Sequence, residues 1–103
     1  VEGLRGDEWN PDRDGRPVPV SLWRQDVPTA GPDRSWDASH QAWNGGKHDG
    51  FVRANPPPHD REVMAYHDRA WTPLHHALVD RYTLCDHWFA SVMGPTWPNR
   101  FYL

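Results

Sequence analysis

The sequence predicts an incomplete piece of a globular domain that mixes helix with strand, and three observations carry that expectation. Leu, Ile, Val and Phe supply only 17 of the 103 residues, under the roughly 20% below which a chain struggles to bury a core. Seven Trp pull the other way, because they bring much apolar area and unstructured tails are poor in aromatics. Two segments of helical period and one nearly continuous apolar run provide elements, while eleven Pro and eight Gly keep them short. A formal charge of −3 is too small for composition to dictate disorder.

Residues 1–34 read as a loop-rich segment, punctuated by Asn10-Pro11, Asp14-Gly15, Pro17, Pro19, Pro28 and Gly31-Pro32. Within it only residues 18–23 (VPVSLW) suit a short strand, with Pro19 fitting an edge position. Residues 35–103 form the helix and turn segment of the same domain. Ser35 is placed to cap a helix, Asp37 lies in its first turn, and Gly45-Gly46 ends the periodic run. Trp36, His40 and Trp43 fall at i, i+4 and i+7 and share one face. His40 there is either an imidazole bonded to a backbone carbonyl at the core edge or a functional group aimed into a cleft.

Three consecutive Pro make residues 54–62 (ANPPPHDRE) a stiff extended linker, and EVMAYH after it suits a short strand. A second helix is expected over residues 72–82, with Thr72 as cap and Pro73 at the first helical position. Leu74, Ala77, Leu78 and Tyr82 make its apolar stripe, which reads as core packing. The run LCDHWFASVM then reads as a buried strand or strand entry. It delivers the chain to Gly94-Pro95-Thr96-Trp97-Pro98-Asn99-Arg100, a rigid turn around a lone Thr hydroxyl.

Several function classes drop out. No apolar run approaches the roughly 20 residues of a membrane-spanning helix, and VEGLRGDEWN lacks the regions of a signal peptide. The chain does not begin with Met, so the natural N-terminus is expected elsewhere and localisation stays open. A single Lys and a mildly acidic balance argue against a nucleic-acid partner. Protonating all seven His would carry the charge from −3 to +4, so acid conditions would alter the surface strongly. The single Cys85 excludes an intrachain disulfide and reads as an inert thiol within an apolar run.

The residues offer few chemistries. There is no HExxH motif, and adjacent His75 and His76 point about 100° apart on a helix, so an all-histidine metal site is poorly supported. Ser91, His87 and Asp86 lack the spacing of a known triad, and Gly45-Gly46-Lys47 is no phosphate loop. Thr96 remains as a covalent nucleophile. Its hydroxyl attacks only when its proton is withdrawn, as a bound divalent metal can arrange. His40, Lys47 and Arg100 are donors able to meet a phosphoryl group, but no convincing carboxylate cluster accompanies them.

HQAWNGGKHDGF, VMAYH and PLHHALVDRYTLCDHWFASVMGPTWPNRFYL together resemble the bacterial phosphoesterases that include non-specific phospholipases C and acid phosphatases, within the alkaline phosphatase superfamily. GLRG and DGRPV extend the likeness over nearly the whole chain, most weakly at residues 19–34. The resemblance implies part of a three-layer α/β sandwich, with a divalent metal as cofactor. It also implies a phosphate-ester or phospholipid substrate, a secreted or periplasmic location, and the remainder of the catalytic domain as partner. It assigns Thr96 as nucleophile and metal ligand, and His40, Lys47 and Asn44 to the substrate side. Asp49 belongs to the same string as a pocket-shaping residue, and Asn99 and Arg100 support the turn.

The family's upstream Glu-Asn pair and downstream paired Asp are not in this sequence, while His48 and Ala65 replace a more usual Met and Gly. The expected reading is therefore a fragment, inactive by itself. Trp36, Trp43, Trp71 and Trp97 are candidates for an aromatic cage around a choline headgroup. The competing readings are a metal-binding histidine module and a non-catalytic Trp-rich interaction module.

Overall fold

The computed structural model describes residues 3–24 and 31–102; the turn signal at Pro28 lies outside them. Four short strands and four short helices follow one another as β1 (Trp9–Pro11), β2 (Pro17–Pro19), β3 (Ser21–Leu22), α1 (Trp36–Trp43), α2 (Phe51–Ala54), β4 (Ala65–Tyr66), α3 (Pro73–Val79) and α4 (Thr96–Arg100). Single 3₁₀ turns at Asn44–Gly46 and Glu62–Met64 follow α1 and precede β4. Helix and strand are thus mixed, with two small two-stranded sheets.

The first sheet is an antiparallel hairpin in the segment expected to be loop. Asn10 faces Val18, and the Asp12 carboxylate accepts hydrogen bonds from the Asp14 and Arg16 N–H groups to close the turn. Prolines at Pro11, Pro17 and Pro19 mask the hairpin in sequence, yet they are tolerated because only one pairing edge of each strand is used. The expected strand over residues 18–23 is split at Val20, whose N–H donates to the Glu8 carbonyl. Beyond that break β3 pairs in parallel with β4, Ser21 beside Ala65 and Leu22 beside Tyr66.

The core lies between α1 and α2, where Ala38, Ala42, Val52, Ala54 and Met64 are buried. Ser35 caps α1, its hydroxyl accepting from the Ala38 N–H at 3.2 Å. The helix ends where Asn44 (φ 43°), Gly45 (φ 64°) and Gly46 (φ 93°) take successive left-handed conformations that turn the chain back toward α2. Gly50 then passes so close to α1 that a Cβ there would lie 1.9 Å from the Gln41 carbonyl oxygen. Two buried amides lock the unit. Asn10 accepts from the Phe51 N–H and donates to the His48 carbonyl, while Asn55 accepts from the Asp33 N–H and donates to the Phe51 carbonyl.

Four expectations need correction. Residues 54–62 turn instead of extending as polyproline II, because a further helical turn, α2, runs into them and the Pro57–Pro58 bond is cis. α3 begins at Pro73 as expected but ends at Val79, and its stripe is not core: Leu74, Ala77, Leu78 and Tyr82 are all exposed. The run over residues 84–93 forms no strand and leaves Trp88 75% and Phe89 77% exposed. A strand requires a neighbour for its N–H and C=O groups, and no described strand lies beside this run. Cys85 is accordingly an exposed thiol. Finally, the Thr96 segment is the start of α4, with Pro95 at its N-cap, instead of an isolated turn.

Candidate active site

Thr96 opens α4 from a backbone fixed by one side chain. The Asn99 carboxamide accepts from the Val92 N–H at 2.9 Å and donates toward the carbonyls of Val92, Gly94 and Pro95 at 2.9, 3.4 and 3.2 Å. Pro95 and Pro98 stiffen the same stretch by fixing φ. The Thr96 hydroxyl makes no hydrogen bond among the described residues, and the residue is exposed. A rigid backbone thus presents an unencumbered hydroxyl.

Two clefts meet at that position. One, of about 480 Å³, runs from Asp33 and Arg34 past Ala38 and Phe51 to Thr96 and Asn99. The other, of about 440 Å³, is flanked by Trp88, Phe89, Arg100 and Tyr102. Arg34 is a cation missed by sequence reasoning, because it falls at the end of a Pro- and Gly-punctuated stretch with no motif of its own. Arg100 lies with its guanidinium 5.6 Å from the centre of the Trp97 ring.

The other predicted site residues sit on α1 and the turn after it. The His40 ring lies tilted by 32° against Trp36 with centroids 4.2 Å apart, and its Nδ1 lies 2.8 Å from the Trp36 carbonyl oxygen. A carbonyl only accepts, so Nδ1 carries the hydrogen and Nε2 is left for another partner. The structure shows the first sequence reading of His40, an imidazole bonded to a backbone carbonyl, and it leaves one ring nitrogen without a partner among the described residues. The Asn44 amide donates to Asp49 at 2.7 Å, which braces the turn after α1. Lys47 is exposed and makes no ion pair among the described residues. None of His40, Asn44 and Lys47 lines either cleft at Thr96. The four Trp of the imagined cage are absent from those clefts too, and three have separate partners: Trp36 with His40, Trp71 with His67, Trp97 with Arg100.

Charge near the first cleft is partly committed. Asp33 accepts from the Ser35 N–H at 2.8 Å, and that backbone bond holds its carboxyl below the ordinary aspartate value. The described residues do not fit a divalent metal by themselves. Among them no three His, Cys, Asp or Glu side chains converge. Asp33 is the carboxylate that lines a cleft with Thr96, and one of its oxygens is already occupied.

The phosphoesterase family model matches residues 2–103. The chain belongs to the phosphoesterase family. Among curated relatives, this phosphoesterase chain is 41% identical to phospholipase C B of Mycobacterium tuberculosis, over 69% of the chain and 15% of that protein. It is 40% identical to the hemolytic phospholipase C of Pseudomonas aeruginosa, over 68% of the chain and 9% of that protein. A shorter match, 48% over 31 residues, joins it to non-specific phospholipase C5 of Arabidopsis thaliana, covering 30% of the chain and 6% of that protein. The chain therefore corresponds to a small part of the length of these relatives. No solved structure matches it. No helix among the described residues is long and apolar enough to cross a membrane.

Proposed function

We propose that these residues are the nucleophile-bearing part of an α/β-sandwich catalytic domain that hydrolyses phosphate esters, phospholipids among them, through Thr96. The observation that carries this reading is the free Thr96 hydroxyl where two clefts meet, on a backbone clamped by Asn99. The similarity to these relatives, all named phospholipases C, supports the substrate class.

Thr96 Oγ1 attacks phosphorus, and an O–P bond forms as the bond from phosphorus to the ester oxygen breaks. The hydroxyl proton leaves with the alcohol. Water then attacks the phosphothreonine, its oxygen stays with the phosphate product, and a proton returns to Thr96. His40, once protonated, offers Nε2–H to a phosphoryl oxygen, because its Nδ1–H is engaged by the Trp36 carbonyl. Lys47 and Arg100 offset anionic charge, while Asn44 shapes the substrate side through Asp49. A divalent metal that lowers the Thr96 pKa requires ligands beyond the described residues, and it is there that the remainder of the domain enters.

The test is turnover of p-nitrophenyl phosphate and its choline ester by the full-length protein. Thr96→Val keeps the β-branched shape without the oxygen, so activity should fall to background while the melting temperature holds. Thr96→Ser should keep measurable activity. Substantial turnover by Thr96→Val removes the covalent role.

A further inference from the structure

The turn before Thr96 and the helix that carries His40 meet at one side chain. Trp36 lies tilted against the His40 ring at 4.2 Å, and its own carbonyl holds the Nδ1 of that ring at 2.8 Å. The opposite contact of the same indole is Gly94. A Cβ placed on Gly94 would lie 3.1 Å from Trp36 Cε3, tighter than an ordinary carbon contact, and 3.8 Å from Cζ3. Gly94 is in turn tied to the nucleophile turn, since the Asn99 amide that anchors Pro95 also reaches the Gly94 carbonyl.

We propose that Trp36 is a positioning residue whose indole sets the register between His40 on α1 and the Gly94–Thr96 approach to the nucleophile. The reading extends the function proposed above and rests on Thr96 being the nucleophile. Trp36 reacts with nothing; it is a spacer between the helix that carries His40 and the chain that leads into Thr96. Its size matters because a Cβ on Gly94 would press on the ring edge at Cε3 and the half-exposed indole would have to shift by a few tenths of an ångström. The i, i+4 spacing of Trp36 and His40 makes the contact an inherent property of α1. An error of fractions of an ångström in this register acts on the geometry of attack more than on ground-state binding.

The experiment is a double-mutant cycle in the full-length enzyme, read as kcat and KM for p-nitrophenyl phosphate. Gly94→Ala should lower kcat about tenfold with KM within about twofold, as the new methyl displaces the indole or the turn. In a Trp36→Ala background the same Gly94→Ala change should cost less than about twofold, because its collision partner is gone. Equal factors in both backgrounds, or a change confined to KM, would overturn the proposal. If Trp36→Ala fails to fold, Trp36→Phe, which withdraws the outer ring, closes the cycle with the same expectation. Thr96→Val run alongside separates the two failures. Its activity tests the nucleophile, while the Trp36–Gly94 coupling tests the spacer.

Discussion

Gly50→Ala gives the most direct test of how the unit that supports the site is packed. Gly50 has φ −102°, a value alanine adopts readily, so the substitution should gain about 0.4–1 kcal/mol through the unfolded chain if space allowed. Space does not allow it. The added Cβ would lie 1.9 Å from the Gln41 oxygen, 2.8 Å from the Gln41 carbonyl carbon and 3.2 Å from Ala42 Cα. All three are backbone atoms of α1, so no rotamer change relieves them. An ordinary contact would need α1 and α2 to part by roughly 1.5 Å, which stretches the 3.3 Å hydrogen bond from the Gly50 N–H to the Ala42 carbonyl beyond use. Overpacking of this kind costs about 1–3 kcal/mol and the lost bond about 1, so the net loss is about 1–3.5 kcal/mol after the chain-entropy gain. That is a large part of a typical domain's 5–15 kcal/mol, a range in which ~1.4 kcal/mol changes the folded-to-unfolded ratio tenfold. Equilibrium urea denaturation of the full-length protein, with Gly3→Ala as a control in open space, measures it. A Gly50→Ala midpoint within about 0.5 kcal/mol of the parent would refute the close approach of the two helices.

Other outcomes follow from the same contacts. Asn99→Ala should lower kcat by about 10²-fold with a smaller effect on KM, since the Val92 N–H and the Gly94 and Pro95 carbonyls before Thr96 lose the side chain that ties them; steady-state kinetics check it. Asn10→Ala should destabilise by about 1–3 kcal/mol in denaturant titrations, because it leaves the Phe51 N–H without its acceptor next to a buried core. The folded pKa of Asp33 is depressed, so its contribution is complete above the unfolded value near 3.8 and disappears as pH falls through the lower folded value. Melting curves for the parent and Asp33→Asn should therefore differ at pH 6 and converge well below pH 3.8. The isolated 103-residue chain should bind a hydrophobic dye and aggregate, given the exposure of Trp88, Phe89, Phe101 and Tyr102; light scattering and dye fluorescence report it.

What was legible in sequence was local. Ser35, Pro73 and the Gly45-Gly46 stop all act within a few residues, and their elements stand close to where pattern alone puts them, although α1 buries Ala38 and Ala42 and leaves Trp36 and Trp43 exposed. The hairpin was missed because β1 and β2 are three residues each and end in Pro, so alternation has no length in which to show. The α3 stripe and the apolar run before Thr96 carry the periodicity of buried elements, but periodicity names a face without supplying the surface that covers it. Leu74 is 67% exposed for that reason. Arg34 was invisible because its place on the cleft depends on the Asn55 side chain that holds the neighbouring Asp33 N–H, twenty-two residues away.

The residues of the two family-like strings divide by what their polar atoms already bond. In WNGGKHDG, Asn44 is consumed as the helix stop and as donor to Asp49, and Gly45 and Gly46 supply left-handed backbone. Gly50 supplies a close approach. In GPTWPNR, Gly94 makes room for Trp36, and Asn99 spends its carboxamide on backbone. These positions are restricted by geometry, and substitutions there should act through fold or through the placing of neighbours. The groups left over are the Thr96 hydroxyl, the Lys47 ammonium, one nitrogen of His40 and the guanidinium of Arg34. Of these, Thr96 and Arg34 line one cleft, while Lys47 and His40 lie outside both clefts at Thr96. Chemistry in this chain is therefore read most directly from the side chains that the fold does not use.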